Sequence, residues 1–171
     1  MSPDGWCASL TILSIRACRV ETFFFQEKME GAAVENFLNT YNKLNANNLQ
    51  LLADIYTEDI WFLDPAHEIR GLARLTGYFT TLYTNISSIQ FQFNHHLRVA
   101  EEGYVQWQMD FRHPRLQGGR DIVVEGASYL RFHETGKVSY HRDYFDLGAM
   151  LYEQLPLLGR IIIAVKRRLG R

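Results

Sequence analysis

Between residues 89 and 145 the chain carries four runs, 89–99, 104–113, 122–132 and 137–145, in which apolar and polar side chains tend to alternate. A period of two marks a strand with one buried face. The links between the runs, Glu101-Glu102-Gly103, Pro114 to Gly119 and Glu134-Thr135-Gly136, are short and turn-like, so these strands are expected to pair antiparallel. The first half of the chain has a different period. Val34, Phe37, Leu38, Tyr41 and Leu44 recur at steps of three and four, which predicts an amphipathic helix ended by Asn45 to Asn48. A second short helix is expected through Leu49, Leu51, Leu52, Ile55 and Tyr56. It leads into a brief strand, Ile60-Trp61-Phe62-Leu63, stopped at Asp64-Pro65. A third helix follows Gly71 over 72–83, with Leu72, Leu75, Phe79 and Leu82 as its apolar side. Helices first and strands later describe an α+β chain, its helices gathered on one face of a curved antiparallel sheet.

A length of 171 residues with 47% hydrophobic content suits one well-filled core, so one main domain is expected. A formal charge of -1 supplies no net attraction to nucleic acid or anionic lipid. Both cysteines, Cys7 and Cys18, lie in the first twenty residues, which leaves the expected domain without a thiol for a disulfide, a metal or a nucleophile, and a cytoplasmic location is expected. Residues 1–28 stand apart as a leader. Their apolar patch from Trp6 to Ile15 is preceded by Asp4 and followed by Arg16 and Arg19, the reverse of a secretory signal, whereas Met29 runs directly into the first helix; a start assigned too early explains this better than a true extension. No apolar run reaches the roughly 20 residues of a membrane span. The domain is expected over 29–158. The segment from Leu147 onward is apolar and then basic, and 159–171 forms a helix end closing in Lys166-Arg167-Arg168. It fits either a membrane-surface helix or a closing element packed over the sheet, and the clustering of cations at one end favours the latter.

Chemistry concentrates in Tyr140-His141-Arg142-Asp143-Tyr144-Phe145-Asp146. On a strand, Ser139, His141, Asp143 and Phe145 share a face, so an imidazole, a carboxylate and a ring stand in a row. Asp146, one step past the strand, is placed to cap the next helix. His95 and His96 are adjacent and point to opposite faces, so they do not share a metal; no metal and no cofactor is expected. Gly118-Gly119 lies in a hairpin loop with no following helix and is not a phosphate cradle.

The order of elements, together with Trp61-Phe62-Leu63-Asp64-Pro65, Gln108-Met109-Asp110 and the His141 to Leu147 motif, resembles the SnoaL-like branch of the nuclear transport factor 2-like superfamily over about 34–158. The resemblance implies a cone-shaped α+β barrel in which a strongly curved antiparallel sheet wraps three helices around an apolar pocket, here with a C-terminal helical extension. The first motif is similar to ketosteroid isomerase and makes Asp64 a candidate general base, with Tyr56 at a neighbouring pocket position. Thr40 and Ser128 stand where that enzyme keeps its oxyanion-stabilising groups. The other two motifs are similar to limonene-epoxide hydrolase: Asp110 and Asp143 match its aspartates, Gln108 stands at the place of its arginine, and Phe62 at that of a water-holding tyrosine. The implied catalytic set is Asp143, Asp110, Asp64 and His141, with Tyr56, Phe62, Gln108, Ser128 and Phe145 against a small apolar substrate. Carboxylates crowded into a low-dielectric pocket cannot all ionise easily, which suits acid/base work of the isomerase, hydro-lyase or epoxide-hydrolase kind. A non-catalytic ligand-binding or regulatory module of the same fold is the alternative. With Gln106, Gln108 and Asp110 facing the pocket by that match, Val105, Trp107, Met109 and Phe111 would form an apolar outer face, which a second copy would cover in a homodimer.

Overall fold

The computed structural model describes residues 31–169. The leader expected over 1–28 lies outside the described residues. Helix α1, described over 31–41, buries Val34, Phe37, Leu38 and Tyr41, the side on which the three- and four-residue steps place them. Asparagines stop it: Asn45 N–H donates to Asn48 Oδ1 at 2.7 Å and Asn48 Nδ2 donates to the Lys43 carbonyl at 2.7 Å, local bonds that compete with helix. A 3₁₀ turn at Leu49–Leu51 and one helical turn, α2, at Leu52–Ile55 follow. Tyr56, expected as helix, is already extended and opens β1 at Tyr56–Leu63. A short strand that the period did not reveal, β2 at Glu68–Arg70, pairs antiparallel with the end of β1. Gly71, at φ +88°, then turns the chain into α3, Leu72–Asn85.

Strands β3 (Ser88–Val99), β4 (Glu102–Arg112), β5 (Asp121–Phe132) and β6 (Val138–Phe145) match the four alternating runs to within two residues at each end and pair antiparallel in sequence order. The described residues form one open, curved six-stranded sheet of order β2-β1-β6-β5-β4-β3. The sheet is mixed, because β1 pairs parallel with β6, setting Phe62 opposite His141 and Trp61 opposite Tyr140. That pairing brings the N-terminal half of the chain against the strand that carries the polar motif.

Asp146 caps α4 (Leu147–Met150) as expected, its Oδ1 accepting from Ala149 N–H at 3.0 Å. A 3₁₀ turn at Tyr152–Gln154 leads to α5, Leu158–Leu169. The expected closing role divides between these pieces: Leu147 and Met150 reach the cavity, whereas most of α5 is exposed. No helix of the described residues is long and apolar enough to cross a membrane.

The inward faces of β3 to β6 carry large rings, and one position has to yield. Trp107 on β4 lies opposite Gly126 on β5, and its indole crosses the space above that glycine. A Cβ at Gly126 would stand 2.3 Å from the Trp107 ring, which only a missing side chain relieves. Gly126→Ala is therefore expected to lower stability by about 1–3 kcal/mol, the usual cost of overpacking a filled core. Urea unfolding with tryptophan fluorescence measures this, and an unchanged midpoint would show that the indole has room to move.

Candidate functional site

A cavity of about 140 Å³ lies between α1, α3 and the concave side of the sheet, with Leu147 and Met150 of α4 also in its wall. Its lining is dominated by rings, among them Phe37, Tyr41, Phe62, Phe79, Phe91 and Trp107. An apolar lining lowers the local dielectric and strengthens any charge interaction inside it. Among its polar groups, Trp107, Ser128, His141 and Asp143 belong to one chain of hydrogen bonds.

That chain has a direction. Indole nitrogen only donates, so Trp107 Nε1–H gives its hydrogen to Ser128 Oγ at 2.9 Å, which leaves the serine hydrogen for Asp143 Oδ1 at 2.5 Å. On the other side His141 Nε2 lies 2.8 Å from the same Oδ1, and Tyr56 OH lies 2.6 Å from His141 Nδ1. An ionised carboxylate can only accept, which places a hydrogen on Nε2; the neutral imidazole then accepts the Tyr56 hydroxyl hydrogen at Nδ1. Four side chains from β1, β4, β5 and β6 thus direct hydrogens toward Asp143. Ser128 and His141 are buried, and the Asp143 side chain is 12% exposed. Asp143 Oδ2 has no hydrogen-bond partner among the described residues, and Asp143 lines the cavity.

Burial keeps the surrounding phenols protonated. It pushes Tyr56 well above the ordinary value of 10.0, with the Asp143 charge adding to the effect. Tyr41 rises well above that value for the same first cause, with Tyr56 and Asp143 contributing. Tyr78 is raised by burial and then by its hydrogen bond to Asp64, and Tyr83 is pushed up to about 12 by burial. Tyr41 and Tyr83 line the cavity, and their hydroxyls have no hydrogen-bond partner among the described residues.

Asp64 also reaches the cavity, but its carboxylate is fully engaged. Oδ1 accepts the backbone N–H groups of Ala66 and His67, each at 2.7 Å, and Oδ2 accepts from Tyr78 OH at 2.7 Å. The His67 ring lies 3.2 Å from both oxygens. This is the bonding of a turn-forming aspartate, and it fixes the Tyr78 hydroxyl.

Two expectations are corrected. Asp110 and Gln108 lie on the outer face of β4, where Gln108 Nε2 donates to Asp110 Oδ1 at 3.1 Å and Gln92 Nε2 to Oδ2 at 3.2 Å. Val105, Trp107, Met109 and Phe111 face inward, buried in the cavity wall. The assignment was inverted by one residue, and on a strand a shift of one moves every side chain to the opposite face. The apolar alternation of β4 was the signal for the inner face. With Asp110 outside, only two of the three expected carboxylates, Asp64 and Asp143, border the cavity, and the apolar outer face that argued for a homodimer is absent.

Of the remaining expected residues, Phe62, Ser128, His141 and Phe145 line the cavity and Tyr56 lies behind His141. Tyr41, Tyr78, Tyr83 and Trp107 were not expected in a site. The sequence marks Tyr41 only as an apolar helix position, since helical period does not separate a tyrosine that packs from one whose hydroxyl serves a cavity. No three His, Cys, Asp or Glu side chains among the described residues are arranged to hold a metal ion.

The raised phenols predict a pH response. A group that is harder to deprotonate folded than unfolded adds stability below its unfolded pKa of about 10, and that stability is lost as pH climbs toward the folded value. Absorbance titration at the tyrosinate band is expected to leave Tyr41, Tyr56 and Tyr78 silent in the folded protein and to show Tyr83 ionising only near 12. Stability should fall as pH rises above 10. Ionisation of all nine tyrosines near 10 in the folded state would contradict the buried site.

A model of the SnoaL-like domain matches residues 34–141, and no curated protein matches the sequence significantly. Among solved structures, a candidate SnoaL-like polyketide cyclase from Shewanella denitrificans OS-217 is 18% identical, covering 70% of this chain and 93% of that one at a TM-score of 0.60. A protein with a ketosteroid isomerase-like fold from Catenulispora acidiphila DSM 44928, in complex with trimethylamine, is 14% identical, with 71% and 90% covered and a TM-score of 0.61. TerC co-crystallised with polyporic acid is 13% identical, with 69% and 94% covered and a TM-score of 0.61. Identities this low speak for a common fold alone. The family match runs from the first buried residue of α1 to His141 at the centre of the polar chain: the protein belongs to the SnoaL-like branch of the nuclear transport factor 2-like superfamily.

Proposed function

We propose that the protein binds a small, ring-bearing apolar molecule in this cavity and moves a proton on it, with Asp143 as the base and returning acid. The observation that carries the reading is the asymmetry of Asp143. One oxygen is held by Ser128 and His141, and the other has no partner among the described residues on a carboxylate that lines an apolar cavity. Ser128, His141, Tyr56 and Trp107 are positioning residues. They hold the carboxylate's orientation and offset its burial. The hydroxyls of Tyr41 and Tyr83 supply donors for a substrate oxygen, where a hydrogen bond would stabilise charge developing as a proton leaves the adjacent carbon. That combination suits enolisation of a carbonyl compound: the carboxylate takes a proton from the carbon beside the carbonyl, charge moves onto the oxygen, and the proton returns to the same or a conjugated carbon. Asp64, held by its turn, orients Tyr78 and takes no proton. An epoxide-opening pair of aspartates is not proposed, because Asp110 faces away.

The test uses 2-tetralone, a flat ketone with exchangeable protons beside its carbonyl, followed by proton NMR in deuterium oxide. Wild-type protein is expected to accelerate exchange, and Asp143→Asn to reduce the acceleration about 10²–10⁴-fold, the range for loss of a general base. Equal exchange by the two proteins ends the catalytic reading. Tryptophan quenching by 2-naphthol, a planar stand-in for the enol, with no exchange of any ketone tried would mark a binding module instead.

A further inference from the structure

Helix α5 leaves the fold with an apolar stripe turned away from the body. Leu158, Ile161, Val165 and Leu169 recur at steps of three and four, so they share a side. All four are exposed, Ile161 at 62% and Leu169 at 82%, and Leu157 just ahead is 79% exposed. The body-facing side is fixed by other residues. Gly159 is buried where the helix crosses the preceding 3₁₀ turn, so close that a Cβ there would meet the Glu153 carbonyl at 2.2 Å. Lys166 reaches back to Asp146 Oδ2 at 2.7 Å and Glu153 Oε1 at 2.5 Å. With one turn anchored by close packing and another by a pair of ions, the helix cannot roll its stripe inward without breaking both.

Arg168 flanks this stripe, and Arg160 and Arg167 share the side of the helix opposite it. None forms an ion pair with a described residue, and the helix contains no Asp or Glu. We infer that α5 is a docking helix for a bilayer surface bearing anionic headgroups. A short helix with an apolar stripe and cations on its other faces lies in the plane of such an interface, its stripe among the upper acyl chains and its arginines reaching the phosphates. At about 1.5 Å per residue it is roughly 18 Å long, too short to span the hydrocarbon layer and long enough to lie in its surface. A second copy of the chain is a poorer occupant, because its α5 carries no acid to meet the arginines of the first.

Co-sedimentation of the full chain with vesicles decides this. Wild type is expected to pellet with phosphatidylcholine vesicles containing phosphatidylglycerol, weakly with phosphatidylcholine alone, and less in high salt. Each arginine near an anionic surface contributes about a fivefold gain in binding, so Arg167→Gln with Arg168→Gln should weaken it about twenty-five-fold. Ile161→Glu with Val165→Glu should remove binding while leaving the circular dichroism spectrum unchanged; should that pair perturb folding, the arginine pair still decides. No pelleting of wild type with either vesicle, or pelleting that ignores the arginine substitutions, overturns the inference. So does a wild-type dimer in sedimentation equilibrium that Ile161→Glu turns into a monomer, since a second copy would then hold the stripe.

Discussion

The site depends on a hydrogen-bond chain whose direction is set at its two ends. Trp107 can only donate, and an imidazole whose one hydrogen goes from Nε2 to the Asp143 carboxylate can only accept at Nδ1 from Tyr56, so the hydrogens run inward from both sides. Without these donors a carboxylate walled by phenylalanines would carry a desolvation cost that a protein normally avoids by neutralising the group. With them, the charge is held at one oxygen. The four donors come from four different strands, so the chain forms only when β1, β4, β5 and β6 are in register.

Packing serves this chain. Trp107 can reach Ser128 because Gly126 leaves a gap for its indole, and Phe91 and Phe145 set the ring from its sides at centroid distances of 5.7 and 6.0 Å. His141 is surrounded by Phe37, Tyr41, Tyr56 and Phe62, with ring centroids 5.0 to 6.2 Å away. Those rings exclude water and confine the imidazole to the orientation in which both nitrogens are used. The parallel pairing of β1 with β6 supplies two of them, Tyr56 and Phe62.

The cavity and α5 treat apolar surface differently. Around the cavity it is turned inward and shaped by polar groups. On α5 it is turned outward on a helix that carries arginines on its other faces, held so by Gly159 and Lys166. A helix fastened with its apolar side exposed is costly in water, and cationic neighbours distinguish it from an unfinished core.

The periods of the sequence alone determined the helix-then-strand order, the four antiparallel strands, the cap at Asp146 and the shared face of His141, Asp143 and Phe145. These follow from local geometry: a side-chain period of two or of about 3.6 is fixed by the backbone, and a cap reaches only three residues. Which face of β4 turns inward is also legible in its apolar alternation, although the family resemblance points Asp110 and Gln108 inward. Only the tertiary structure decided that β1 would lie parallel to β6, that Tyr56 would meet His141 across 85 residues of chain, and that a helical tyrosine, Tyr41, would face the cavity. Those contacts join segments whose spacing in the sequence carries no trace of their distance in space, so they exist only once the sheet has curved around the core.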